Sequence, residues 1–217
     1  MLVSRPPLDL VVGVVGAIVA VSGWLWVLRR GQDGVRVIAL PKLGILNLLG
    51  PAGSAWAADD STALLRFFAA VRESDREPPR CDVLFVYADV GRDGAIAHSE
   101  RSLRDLARDA GAQILVVASP NAAEDYVAAT QPTGVTTANL VLTLDRKGPA
   151  FARFFAQLFE RMHASMSMPK AWVALQPQEP GSYRPEHPDL VCLMERGHIA
   201  FQHAGRTSER STRRRAA

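Results

Sequence analysis

The chain reads as an α/β protein. We expect a doubly wound, mostly parallel sheet with helices on both faces and a C-terminal antiparallel hairpin, preceded by one N-terminal transmembrane helix. Three observations predict this. Unbroken apolar runs (VLFVYA at 83–88, ILVVA at 114–118, LVLTL at 140–144) have the composition of strands covered on both faces. Stretches of helical period alternate with them, as repeated strand–helix–strand units require. The 19 residues Leu10–Leu28 carry no charged side chain.

That apolar run comes first. At ~1.5 Å per residue it nearly spans a ~30 Å hydrocarbon core. Trp24 and Trp26 stand at one end, where indoles favour the interface, and Arg29 and Arg30 follow at once. The basic flank predicts a single pass of the inner (plasma) membrane with the C-terminal bulk in the cytoplasm. A cleaved signal peptide would need its basic residues on the other side. A dinucleotide fold would need a GxGxxG that is not there. Gly13/Ala17 and Gly16/Ala20 have the spacing of a helix-dimer face, a spacing that spans rich in small residues also produce by composition.

The domain follows in order. Val35–Leu40 reads as a first strand, and Leu43–Ala58 is apolar without a clear period. Asp60–Arg72 reads as a helix, with Leu64, Phe67, Phe68 and Val71 as its apolar stripe and Asp59, Asp60 or Ser61 as its cap. A charged linker, 73–80, ends in Pro78-Pro79. The strand at 83–88 leads to a helix at Ser99–Ala110 stopped by Gly111. The strand at 114–118 leads to a short helix at Asn121–Ala129, and the strand at 140–144 to a phenylalanine-striped helix that opens on a proline, Pro149–Ala164. Ala171–Leu175 reads as a fourth strand of this series. Leu190–Met194 and Ile199–Gln202 read as the closing hairpin, turning at Arg196-Gly197. The organisation is therefore an anchor (1–34), a strand, apolar linker and first helix (35–80), an α/β domain (81–204) and a basic tail (205–217).

Charge separates the parts. The net charge is +3 and the pI about 9.2. The tail is net +4, the head Met1–Lys42 net +3, and Leu43–Ala204 net −4. The domain thus offers no footprint for nucleic acid, whereas basic ends beside a membrane segment suit anionic lipid. Cys81 and Cys192 lack the spacing of a zinc site, and no cofactor motif is present.

Ligands of doubly wound sheets bind beyond the carboxyl ends of the strands. That edge would gather Asp89, Arg92 and Asp93 after one strand, Ser119 and Asn121 after the next, and Asp145, Arg146 and Lys147 after the third. Two chemistries are available there. Ser119 with His98 as base, and Asp89 or Asp145 as orienter, has the residue types of a serine hydrolase. It lacks the GxSxG elbow, and Pro120 removes a backbone donor. The basic residues Arg92, Arg146 and Lys147 would suit a nucleotide or phosphate sensor. The plainer readings are a helix cap for Ser119, an exposed helix start for His98 and solvated turns for the two acidic loops.

The run of parts VLFVYADVGRDGAI, helix, ILVVASPN, NLVLTL, FARFFAQLFERM, AWVALQP and DLVCLMERGHIAF resembles the caspase/separase fold, in particular the bacterial CHAT domains. The alternation does not separate that strand order from a flavodoxin-like one. CHAT peptidases carry His-Gly after the first of these strands and Cys after the second. The matching positions here hold Asp89-Val90-Gly91 and Ser119-Pro120-Asn121, so both members of the dyad are missing. The resemblance then implies a catalytically silent scaffold or adaptor that binds a protein partner or a small ligand.

Overall fold

The computed structural model describes residues 34–97, 99, 101–131, 137–176 and 187–202. The chain divides into two units, Met1–Gly34 and Val35–Ala217. The expected membrane span, with Trp24, Trp26, Arg29 and Arg30, lies outside the described residues, as do His98 and the basic tail. Among the described residues no helix is long and apolar enough to cross a membrane.

The second unit is an α/β domain. Its strands are β1 (Arg36–Ile38), β2 (Lys42–Asn47), β3 (Ala70–Ser74), β4 (Val83–Tyr87), β5 (Ile114–Val117), β6 (Asn139–Asp145), β7 (Asp189–Leu193) and β8 (Ile199–Phe201). Its helices are α1 (Pro51–Leu64), α2 (Leu103–Ala110), α3 (Val127–Thr130), α4 (Pro149–His163) and α5 (Met168–Leu175). Six strands form a mixed sheet in the order β3-β2-β4-β5-β6-β7, parallel except for β7, which runs antiparallel to β6. The chain leaves β2 toward β3 and then continues from β4 on the other side, so the winding direction reverses between β2 and β4.

The buried strands alternate strictly between two cores. Val83, Phe85 and Tyr87 face one layer, built on α1, α4 and α5; Leu84 and Val86 face the other, built on α2 and α3. Helices therefore cover both faces, which is why β4 and β5 need apolar residues at every position. The first layer is rich in phenylalanine: the rings of Phe85, Phe155 and Phe159 pack within 6.5 Å of one another, and Phe159 meets Phe68 edge-on at 5.1 Å.

Three expectations are corrected. The closing segments do not form a hairpin: β7 extends the main sheet on β6, while β8 pairs in parallel with β1 in a separate two-stranded sheet. The cause is Asn139. Its Oδ1 accepts from the backbone N–H groups of Arg196 and Gly197, and its Nδ2 donates to Gly197 O, which pins the turn to the start of β6. The chain is then redirected so that Ile199 and Phe201 bury against α4.

The segment 171–175 is not a strand but the second half of α5, which starts at Ser167-Met168-Pro169. A five-residue apolar run fits either element. Here only Met168 and Ala171 are buried, and Val173 is 66% exposed. The helix expected over 60–72 belongs instead to α1, which begins at Pro51 and ends at Leu64; β3 starts six residues later. Leu64, Phe67, Phe68 and Val71 all face the first core, but from a helix end, a 3-10 turn and a strand in succession.

Candidate functional site

Winding order brings the exits of β2, β4, β5 and β6 to one edge, and two constellations form there. The first braces the exits of β4 and β5. Ser119 is 1% exposed, and its Oγ accepts from Ala88 N–H at 2.8 Å. Asn121 Oδ1 accepts from Val90 N–H at 2.9 Å. Its Nδ2 donates to Ser119 O at 3.1 Å and to the Tyr126 hydroxyl at 2.9 Å. The Tyr126 hydroxyl donates onward to Thr143 O at 3.1 Å, joining β6 to the same network. The Ser119 and Asn121 side chains thus satisfy Ala88 N–H, Val90 N–H and Ser119 O, which lie just past the ends of β4 and β5.

The loop after β4 is equally self-contained. Gly91 N–H donates to Ala95 O, and Ala97 N–H to Asp89 O, both at 2.8 Å. Asp93 accepts from Ala95 N–H, so its carboxylate caps its own turn. Gly94 has φ +77°, and a Cβ there would lie 2.9 Å from the backbone nitrogen of Ala129, which holds the loop tight against α3. Asp89 and Arg92 are exposed, and Arg92 lies 3.8 Å from Asp125. Among the described residues no three acidic, His or Cys side chains are placed to hold a metal.

The second constellation involves residues that sequence reading had cast in other roles or not singled out. Arg146, the residue after β6, turns inward. Its Nη2 donates to both oxygens of Asp60 at 2.8 and 2.9 Å, and its Nη1 to Ala118 O at 3.2 Å. The Tyr87 hydroxyl donates to Asp60 Oδ2 at 2.5 Å. The guanidinium lies 4.1 Å from the Phe151 ring centre and 5.3 Å from that of Trp56. Asp60 is 1% exposed and the Arg146 side chain 6%. Burial pushes the Asp60 carboxyl above its ordinary value even though Arg146 and Tyr87 both favour its ionised form. Burial and the neighbouring Asp60 raise the Tyr87 hydroxyl as well.

This ion pair floors a cleft of about 610 Å³ between α1 and α4, whose walls include Trp56, Ala63, Arg66 and Arg153. The remaining candidates point elsewhere. Lys147 lies 3.3 Å from both Asp145 and Asp189, tying the start of α4 to β7. The edge therefore does not gather Arg92, Arg146 and Lys147 into one anion site: each meets a different carboxylate.

The cysteines stand apart. Cys81 precedes β4 at the opposite edge, where burial and then Asp82 push its thiol up to about 12. Cys192 is inside β7, and burial raises it to about 12. Both are held as unreactive thiols near neutral pH.

Trp56, Asp60 and Tyr87 carry no motif. Asp60 and Arg146 are far apart in sequence, and Asp60 reads as a helix cap until α1 is seen to begin nine residues earlier. A usable signal was the Trp56/Asp60 spacing of four on one helix face. No family model matches the chain, and no curated protein or solved structure matches it.

Proposed function

We propose that this chain is a membrane-anchored, catalytically silent CHAT/caspase-like domain that binds a protein partner or a small ligand. One observation carries the reading. At the position where the resemblance would put the catalytic cysteine, the side chains that are present are committed to the backbone, Ser119 to Ala88 and Asn121 to Val90 and Ser119, and the position matched to the histidine holds an exposed Asp89 followed by Val90. A hydroxyl held 1% exposed as an acceptor is poorly placed to attack a substrate. The order of parts on which the resemblance rests agrees with the element order through α4; the AWVAL segment departs from it by being helical. The parallel strands share their order with flavodoxin-like sheets, so strand order adds less weight than the dyad positions do.

The test is covalent labelling of the full-length chain in detergent with a fluorophosphonate and a thiol-directed probe, comparing wild type with Ser119→Ala. The expected result is no serine labelling, and thiol labelling only after unfolding. Fluorophosphonate labelling lost in the variant would make the chain a serine hydrolase.

The anchor reading rests on Leu10–Leu28 with Arg29 and Arg30. A C-terminal epitope is expected to be protease-sensitive in inside-out membrane vesicles and protected in right-side-out ones. The reverse pattern would invert the topology, and extraction by alkaline carbonate would remove the span.

A further inference from the structure

The amino edge of the sheet, where β1 leads into β2, carries apolar side chains that the domain does not cover. Among the described residues seven large apolar side chains are exposed. Four of them, Val35, Val37, Leu40 and Leu65, belong to β1, its two flanks and the turn after α1. Ile38 enters the first core, whereas Val37 alternates to the outside of the strand. The turn that opens at Leu65 runs into Ala69, whose N–H donates to Pro41 O at 2.8 Å, so this turn and the link after Leu40 lie side by side. Exposed apolar side chains gathered in this way mark a surface that something else covers.

Leu40 is the most exposed of the four, at 75%, and it has φ +54°. A leucine in the left-handed region is strained, and a residue before proline is ordinarily extended. Burial in the core does not explain a leucine here, because its side chain faces outward. Strain of this kind points to a use.

Chain length says what covers the surface. Arg30 and Val35 are five positions apart, at most ~18 Å of fully extended chain. On the anchor reading, in which Leu10–Leu28 crosses the bilayer and Arg29 and Arg30 meet its headgroups, β1 cannot leave the neighbourhood of that surface. Arg36 and Lys42 are exposed on β1 and β2, with Asp82 as the carboxylate in contact, accepting from Lys42 N–H at 2.9 Å. Apolar side chains for the acyl boundary and basic ones for anionic headgroups are what an interfacial surface needs.

We propose that this edge of the domain lies on an anionic bilayer, with Leu40 and Leu65 entering the headgroup region and Arg36 and Lys42 meeting lipid phosphates. The proposal rests on the anchor reading and adds to a tether a fixed orientation of the domain. The carboxyl edge of the sheet, with Arg146 and Asp60, then faces away from the membrane.

The experiment uses the full-length chain in nanodiscs of phosphatidylcholine with about 30% phosphatidylglycerol. An environment-sensitive thiol fluorophore is attached to Leu40→Cys, Leu65→Cys, Val127→Cys or Trp26→Cys, one at a time. Wild type is the blank, because Cys81 and Cys192 are held as unreactive thiols. Lipid carrying a headgroup nitroxide is the quencher. The labels on Leu40→Cys and Leu65→Cys are expected to shift blue and to be quenched, and the label on Val127→Cys, on α3, to stay unquenched. Quenching at Leu40→Cys should fall by roughly half or more in phosphatidylcholine alone, in high salt, and when Arg36→Glu and Lys42→Glu are added. Leu40→Gly, read through the Leu65→Cys label, should weaken quenching without lowering the melting temperature in detergent. A folding defect cannot produce that pair of changes. Labels at Leu40→Cys and Leu65→Cys quenched no more than the one at Val127→Cys would overturn the proposal. So would a blue shift without quenching, which would mean that protein, such as a second copy of this chain, covers the face. The Trp26→Cys label separates the two readings. Quenching there alone keeps the anchor and removes the docking surface. Quenching at Leu40→Cys and Leu65→Cys without it removes the anchor and keeps the docking surface, and quenching at none of the three removes both.

Discussion

Arg146→Ala is expected to destabilise the fold by about 3–5 kcal/mol, the range for stranding a buried charge. The substitution removes both hydrogen bonds to Asp60 and leaves that carboxylate 1% exposed with only the Tyr87 hydroxyl facing it. It also removes the planar group stacked on Phe151. Asp60→Ala should cost a comparable amount by the mirror argument. The double variant Asp60→Leu with Arg146→Met is expected to lie close to wild type, because a buried ion pair has already lost much of its Coulombic gain to desolvation. Urea unfolding of wild type and the three variants measures these differences. A double variant as unstable as the sum of the single ones would mean that the two side chains are not coupled, and would overturn the account in which each single loss comes from stranding the partner's charge.

The pH dependence has a definite sign. Folding raises the Asp60 pKa, so the native chain holds this proton more readily than the unfolded one. Its contribution to stability is fully present below the ordinary aspartate value and is lost as pH rises through the raised native value. Without Arg146 the native pKa goes higher still, since Arg146 acts to lower it. The penalty of Arg146→Ala should therefore be smallest in acid and grow toward neutrality. A penalty independent of pH would point to lost packing on Phe151 instead.

Much of the fold was legible because burial leaves a plain trace. A strand covered on both faces carries few polar residues, and β4, β5 and the apolar run of β6 were found from that, although β6 also buries Asn139 and Thr143. The helix α4 was found from its proline start and its phenylalanine stripe. The errors arose where one pattern has two physical solutions. Leu64, Phe67, Phe68 and Val71 satisfy a helical period, yet the same core is reached by a helix end, a turn and a strand. The real helix, α1, carries Gly53 and three early alanines and has almost no amphipathic contrast to read. Gly53 has a reason to be there: a Cβ would fall 2.3 Å from Asn47 Oδ1, which accepts from Leu49 N–H and shapes the turn out of β2.

The site was less legible than the fold. The carboxyl-edge rule collected Ser119, Asn121 and Arg146 correctly, because it needs only strand ends. It could not tell which of them turn inward. Arg146 sits between Asp145 and Lys147, whose side chains engage the surface at β7. Its inward rotamer depends on Asp60, and that pairing is a property of how α1 crosses the sheet. Nothing local to either residue encodes it.

Asn121→Ala is expected to cost about 2–4 kcal/mol and to loosen the loop after β4. The main loss is the acceptor of Val90 N–H, a donor in a residue that is 5% exposed; a buried unsatisfied donor costs about 1–3 kcal/mol. The rest comes from the two donors that tie Ser119 O and the Tyr126 hydroxyl into one network. Ser119→Ala strands one donor only, the Ala88 N–H, and should cost less. The two effects should not add, since both side chains brace the same pair of strand exits. Hydrogen exchange gives the local readout: the amides of Val90, Gly91 and Ala97 should exchange faster in Asn121→Ala, while those of β4 itself stay protected. Asn121→Asp keeps the acceptor but turns a donor into a carboxylate oxygen facing Ser119 O, so it should be no more stable than alanine at neutral pH and recover in acid. If Asn121→Ala instead kept full stability and protection, this asparagine would not be a brace. The catalytic reading of the edge, with Ser119 released from Ala88, would then regain the ground that the geometry takes from it.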